Sequence, residues 1–232
     1  MCFRDAASFS SAAALALCVT LFGGCSERKP AAPSTPNGMH HSFKGAQEWA
    51  ARFENPERDA WQKPEEVLAF LGLHADDRVA DIGAGTGYFP VRFARVVTRG
   101  VVYAIDLEPD MVHYLADRAR RENLPNLRAV QCVADDPQIP EPVDLIFMCD
   151  TYHHIDERSA YFHRLRADLR PGGRVVIVDF FKRTAPVGPP PEHKISKEQV
   201  SQEMVQAGYR VVRQLDLPYQ YVLMFTPAET DD

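Results

Sequence analysis

Val79-Ala80-Asp81-Ile82-Gly83-Ala84-Gly85-Thr86-Gly87 runs an apolar strand straight into three alternating glycines, and helical periodicity follows from Tyr88 to Val97. Glycines permit close backbone approach. Such a turn exposes backbone N–H groups at a helix N-terminus, in the crevice where open α/β sheets bind their ligands. A second apolar strand, Val101 to Leu107, carries Asp106 at its end, where a carboxylate can accept both hydroxyls of a ribose. Loop and acid together point to a nucleoside-containing cofactor. A dinucleotide fingerprint wants GxGxxG, and here the third glycine sits one residue early, with Tyr88 following it. Asp81 also sets a carboxylate immediately before the loop, which suits a cationic ligand and opposes a pyrophosphate.

The elements on either side of this stretch extend the alternation. Apolar residues recur at helical spacing from Ala46 to Phe53 and from Pro64 to Leu73, with Pro64 placed as a first helical residue. After the second strand come a helix from Pro109 to Glu122, strands from Leu127 to Val133 and Val143 to Cys149, a helix from Glu157 to Leu169 and a strand from Arg174 to Phe180. Parallel strands with crossover helices are the economical arrangement. Ser196 then caps a helix that runs to Ala207, and Gly208 ends it. The last two strands, Tyr209 to Leu217 and Tyr219 to Thr226, flank Pro218, and only antiparallel strands join so tightly.

With these pieces in order, the chain resembles the class I S-adenosylmethionine (SAM) dependent methyltransferases of small-molecule type over roughly residues 64 to 226. The loop resembles their first motif, and Ala104-Ile105-Asp106 the acidic end of strand two. Ala134-Asp135-Asp136 resembles the acidic loop after strand three, Asp144 to Asp150 strand four, and Leu169-Arg170-Pro171-Gly172-Gly173 the turn before strand five. The resemblance implies a Rossmann-like, doubly wound α/β sheet of seven strands, mostly parallel, with an antiparallel C-terminal hairpin. It also implies Asp81 and the backbone of Gly83, Ala84, Gly85 and Gly87 around the methionine part of SAM, Asp106 on the ribose, Leu107 against the adenine ring and Asp135 near the adenine. The implied activity is methyl transfer to a small-molecule acceptor. Two alternatives stay open: an NAD(P)-dependent oxidoreductase, and a membrane-tethered SAM-binding protein without turnover.

Methyl transfer from a sulfonium chiefly needs alignment, but an acceptor that must lose a proton needs a base, and histidine suits that work near pH 7. His153 and His154, in Asp150-Thr151-Tyr152-His153-His154 after strand four, are the catalytic candidates; the competing reading has one of them packing or capping the next helix. They form no metal site, since neighbouring residues seldom point the same way and no third ligand is spaced to join them. Trp61 and Lys63 either line the pocket or, with Trp49 and Phe53, pack the leading helices on the domain.

The chain has 232 residues, 45% hydrophobic and 25% charged, enough for one domain of ordinary size plus an appendage. A net charge of -6 offers no footprint for nucleic acid. Ala12 to Phe22 is an uncharged run of signal-peptide length, followed by Gly23-Gly24-Cys25. This resembles a bacterial lipoprotein signal, which implies Cys25 as the lipidated residue and a membrane-anchored, cell-envelope or periplasmic location; the alternative is a cytoplasmic protein whose N-terminus is not processed. Residues 1–25 are read as that signal, 26–45 as a Pro-rich linker, and 46–229 as the methyltransferase domain with a helical lid over 46–73. Cys132 and Cys149 end strands that two others would separate at about 4.8 Å spacing, too far apart for a disulfide.

Overall fold

The computed structural model describes residues 45–229; the signal-like run, Cys25 and almost all of the linker lie outside them. Seven strands form one sheet in the order β3-β2-β1-β4-β5-β7-β6: β1 (Arg78–Ile82), β2 (Val101–Asp106), β3 (Leu127–Gln131), β4 (Val143–Cys149), β5 (Leu169–Phe180), β6 (Tyr209–Asp216) and β7 (Gln220–Pro227). The first five are mutually parallel. β7 pairs antiparallel with β5 and β6 antiparallel with β7, as the tight link at Pro218 requires.

The strand order reverses between β1 and β4, so the chain leaves β1 toward opposite edges of the sheet. That divergence opens a crevice at the carboxyl ends of the strands. Alternate side chains of each central strand enter two separate cores, because side chains alternate across a pleated sheet. Val79, Leu145, Phe147, Val176 and Val222 face the core covered by α3 (Pro64–Leu71), α4 (Tyr88–Val96) and α5 (Pro109–Arg121). Ala80, Ile146, Met148, Ile177 and Leu223 face the core covered by α6 (Arg158–Leu165) and α7 (Lys197–Gln206). With both faces buried, the central strands read as continuous apolar runs. Phe147 meets Phe89 and Phe93 edge-on, with centroids 4.9 and 5.0 Å away, which fastens α4 to β4.

Several boundaries differ from the sequence reading. β5 begins at Leu169, so Pro171-Gly172-Gly173 lies within a long bulged strand. β3 stops at Gln131. The helix expected from Glu157 to Leu169 is α6 followed by a 3-10 turn at Arg166–Asp168. Between α1 (Ala46–Phe53) and α3 stands a further short helix, α2 (Arg58–Gln62), which the periodicity does not reveal. Lys63 joins α2 to α3 in a left-handed conformation (φ 50°), ahead of Pro64 at the first position of α3. β3 and β4 are separated by β2 and β1, and Cys132 and Cys149 are free thiols.

Candidate active site

The crevice is built around the glycine loop after β1. Gly83, Gly85 and Gly87 all have positive φ (77°, 55° and 99°), which L side chains rarely adopt. Gly83 is further constrained, since a Cβ there would stand 2.2 Å from Oγ1 of Thr151, at the start of the segment after β4. The Gly83 and Ala84 N–H groups both donate to the Ile105 carbonyl, fixing the loop on β2. Asp106 completes that junction. One of its carboxylate oxygens accepts the Gly85 N–H at 2.8 Å, the other the Glu108 N–H at 3.0 Å. The Leu107 amide also bears on this carboxylate, which accepts about four hydrogen bonds and so keeps capacity for a further donor. Leu107, beside it, is 42% exposed, a large apolar side chain left uncovered at the rim.

Asp81 is buried at the end of β1. Burial pushes its carboxyl well up from the ordinary range, Asp106 adds to the rise, and Arg58 opposes it. Asp106 is raised by burial too, against the pull of the Glu108 and Gly85 amides. Asp135 lies exposed in the turn after β3, where its backbone carbonyl accepts a hydrogen bond from Arg164 Nη2. The cofactor-side residues expected from the sequence thus stand at the ends of β1 and β2 and just beyond β3.

Across the crevice, β4 and β5 deliver a second group. His153 sits in a 3-10 turn (Tyr152–His154), and its Nδ1 lies 2.9 Å from Oδ2 of Asp179, at the end of β5. Asp179 is fully buried, and its Oδ1 also accepts the Phe180 N–H at 2.7 Å. With Nδ1 committed to Asp179, the second ring nitrogen of His153, Nε2, is the one left for a ligand. Burial pulls the His153 pKa down, but the hydrogen bond and charge of Asp179, aided by Asp150, outweigh it and the net shift is upward. Contrary to expectation the two neighbouring imidazoles do lie side by side, centroids 4.2 Å apart. A 3-10 turn brings consecutive side chains closer in direction than an extended chain would. Among the described residues no group of three or more His, Cys, Asp or Glu is placed to hold a metal ion.

The leading helices cover this crevice from above. Phe53 packs against Gly85, Glu54 accepts the Thr86 hydroxyl at 2.6 Å and pairs with Arg118 of α5, and Asp59 accepts the Tyr88 hydroxyl. Arg58 lies 3.9 Å above the Tyr88 ring, while Trp61 meets Phe180 at 5.7 Å on the β5 side. Trp61 therefore packs α2 on the domain and also walls the crevice, whereas Lys63 serves as the joint. Sequence reasoning assigned no role to Arg58, Gln62, Asp150, Asp179 or Gln220. Asp179 and Gln220 lie at the ends of apolar strands, and only the register of β5 with β4 and of β7 with β5 brings them to the site.

The His153 shift has a measurable consequence. A group whose folded pKa is raised contributes stability that is fully present below its unfolded pKa, about 6.5 for histidine. That contribution is lost as pH rises through the folded value. Asp179→Asn should lower the His153 pKa followed by NMR and destabilise the protein more at pH 5.5 than at pH 9; an equal loss at both would contradict the ion pair.

Comparison with known proteins agrees with this geometry. A family model described as "Methyltransferase domain" matches residues 79–173. The chain is 28% identical over 153 residues to 27-O-demethylrifamycin SV methyltransferase of Amycolatopsis mediterranei, covering 65% of this chain and 54% of that protein. It is 32% identical over 124 residues to the ubiquinone/menaquinone biosynthesis C-methyltransferase of Pseudomonas putida, covering 51% and 47%. It spans about half the length of the curated relatives it matches. A solved SAM-dependent methyltransferase from Aquifex aeolicus superposes with a TM-score of 0.72 at 30% identity, covering 77% of this chain and 96% of that one. Likeness at that level over nearly the whole of a known structure goes beyond shared fold, and the chain belongs to the SAM-dependent methyltransferases.

Proposed function

We propose that this protein binds SAM over the glycine loop and methylates a small-molecule acceptor held on the β4–β5 side of the crevice. The observation that carries the reading is the pair of buried acids, Asp81 and Asp106, set against a loop whose glycines leave room for a ligand. Such a site fits a cationic nucleoside ligand: Asp81 faces the positive charge, Asp106 the ribose, and Leu107 offers an apolar surface to the adenine. A pyrophosphate in the same place would meet two carboxylates at close range. Asp135 is assigned to the adenine end from its position after β3. SAM supplies an already activated methyl group on a sulfonium, so the protein's own work is alignment, exclusion of water and management of the acceptor's proton.

His153 is the base in this account. Asp179 holds Nδ1, which sets the tautomer and leaves Nε2 to take the acceptor's proton; the carboxylate then stabilises the imidazolium that forms. His154, whose ring lies 4.2 Å from that of His153 in a tilted arrangement, is the second candidate. Helices α1 and α2 form the lid that keeps water from the crevice.

The relatives are named as a 27-O-demethylrifamycin SV methyltransferase and a ubiquinone/menaquinone biosynthesis C-methyltransferase, and these names support a small organic acceptor for this chain. The Gly23-Gly24-Cys25 sequence supports a second assignment, attachment to the cell envelope through a lipid on Cys25.

Calorimetric titration of the purified protein should show SAM binding and no NADH binding, and Asp106→Ala should weaken SAM at least tenfold, about 1.4 kcal/mol. NADH binding without SAM binding would sink the assignment. For the anchor, the full chain made in a bacterial host should incorporate a fatty-acid label that Cys25→Ser abolishes; a label that survives the substitution, or none in the parent, would refute it.

A further inference from the structure

A line of polar side chains runs beneath the lid and ends on a carboxylate. Arg58 of α2 donates from Nε and Nη2 to Oε1 of Gln62, at 3.1 and 3.0 Å. Gln62 Nε2 donates to Oε1 of Gln220 at 2.5 Å, and Gln220 Nε2 donates to Oδ1 of Asp150 at 2.6 Å. Both glutamines are fully buried. Every bond in the line points the same way, from a guanidinium to a carboxylate, so each amide dipole is polarised toward Asp150. Asp150 itself holds a left-handed backbone (φ 57°) at the end of β4, a conformation that is costly for a residue other than glycine, though Asp and Asn tolerate it best.

We infer that Asp150 is the group that grips the methyl acceptor, that Gln220, Gln62 and Arg58 are positioning residues that aim it, and that the acceptor presents an N–H or O–H donor rather than an anion. This rests on the reading of the crevice as a methyl-transfer site. One oxygen of Asp150 is taken by Gln220, whereas among the described residues the other meets the Cys149 thiol alone, at 3.7 Å. An ionised carboxylate accepts about four hydrogen bonds, so Oδ2 has capacity left for a ligand. The neighbouring cations are already engaged: Arg58 with Gln62 and the Phe53 carbonyl, Lys194 with the Arg183 carbonyl, and His153 with Asp179. A carboxylate or phosphate entering here would therefore face Asp150 and Asp179, with only the Nε2 side of His153 to receive it. An amine or a hydroxyl would find an acceptor waiting, with His153 beside it for the proton.

Groups from every surrounding element act on Asp150. Burial raises it, with Asp179 of β5 adding to the rise; Arg58 of α2, His153 of the 3-10 turn and Gln220 of β7 pull it down, and the result lies at about 6. Cys149, Tyr221 and Lys194 complete its surroundings. Gripping a donor requires the ionised form, so transfer should fall as pH drops through that range.

The test offers the SAM-saturated protein three sets of aromatic compounds matched in size, bearing an amine, a phenolic hydroxyl or a carboxylate, and follows methyl transfer from labelled SAM. Transfer is expected in the amine or the hydroxyl set, whichever supplies the donor, and none in the carboxylate set. Asp150→Asn keeps the left-handed backbone and should cut transfer by about 100-fold while SAM affinity stays within about threefold. Gln220→Met removes a donor to the charged form, so the acid limb of the pH profile should move upward by about one unit. Gln62→Met, one step further away, should move it less. Methylation of the carboxylate set, no transfer in any set while SAM binds, full activity in Asp150→Asn, or a uniform loss without a moved limb would each overturn the inference. Failure to bind SAM would instead remove the methyltransferase reading, and this inference with it.

Discussion

The close contact between the glycine loop and Thr151 is the constraint on which the rest of the structure depends. Gly83 has no Cβ because Thr151 occupies the space one would need. That contact joins the end of β1 to the segment leaving β4, across the place where the strand order reverses. Both groups of candidate site residues are hung on this junction. The loop amides and Asp106 lie to one side of it, and Asp150, His153 and Asp179 to the other. A side chain at position 83 would push the two halves apart.

Electrostatics at the strand ends follow from that convergence. Asp81, Asp106, Asp150 and Asp179 all close strands that point into the crevice, and burial raises the first three from their ordinary range. Leaving so many acids under a lid is costly unless positive charge arrives, because desolvation of an unpaired carboxylate is large. Arg58 opposes the rise at both Asp81 and Asp150, and it is carried by helix α2 rather than by the sheet. Packing α2 over the strand ends and compensating the acids therefore go together. A cationic ligand on the Asp81 side would lighten the same burden, which ties cofactor occupancy to the energetics of the whole crevice.

The fold was legible in the sequence because its signals are local. The Val79 to Gly87 stretch, the alternation through Phe180 and the tight link at Pro218 each report a backbone geometry that the residues nearby determine. The first half of the candidate site was legible for the same reason, since Asp81 and Asp106 sit where their strands stop. The second half was not. Asp179 and Gln220 belong to strands that read as apolar core, and their roles come from a register between β5 and β7 formed over a long sequence separation. Helix α2 was hidden because five residues between Pro56 and Pro64 are too few to show a period. Reading β5 from Arg174 failed because Pro171-Gly172-Gly173 signals a turn, yet this end of β5 lies beside the bulge at Val143, where ladder pairing is already irregular.

A crevice that closes around a ligand from both sides should order both sides at once. Hydrogen exchange of the protein, titrated with S-adenosylhomocysteine, tests this most directly. The account predicts slowed exchange in the loop 83–87, in 106–108 and in the lid 46–62, all over the same range of ligand concentration. Protection of the loop with an unchanged lid, or no protection at either, would contradict the picture of a SAM site built jointly by the glycine loop and the leading helices.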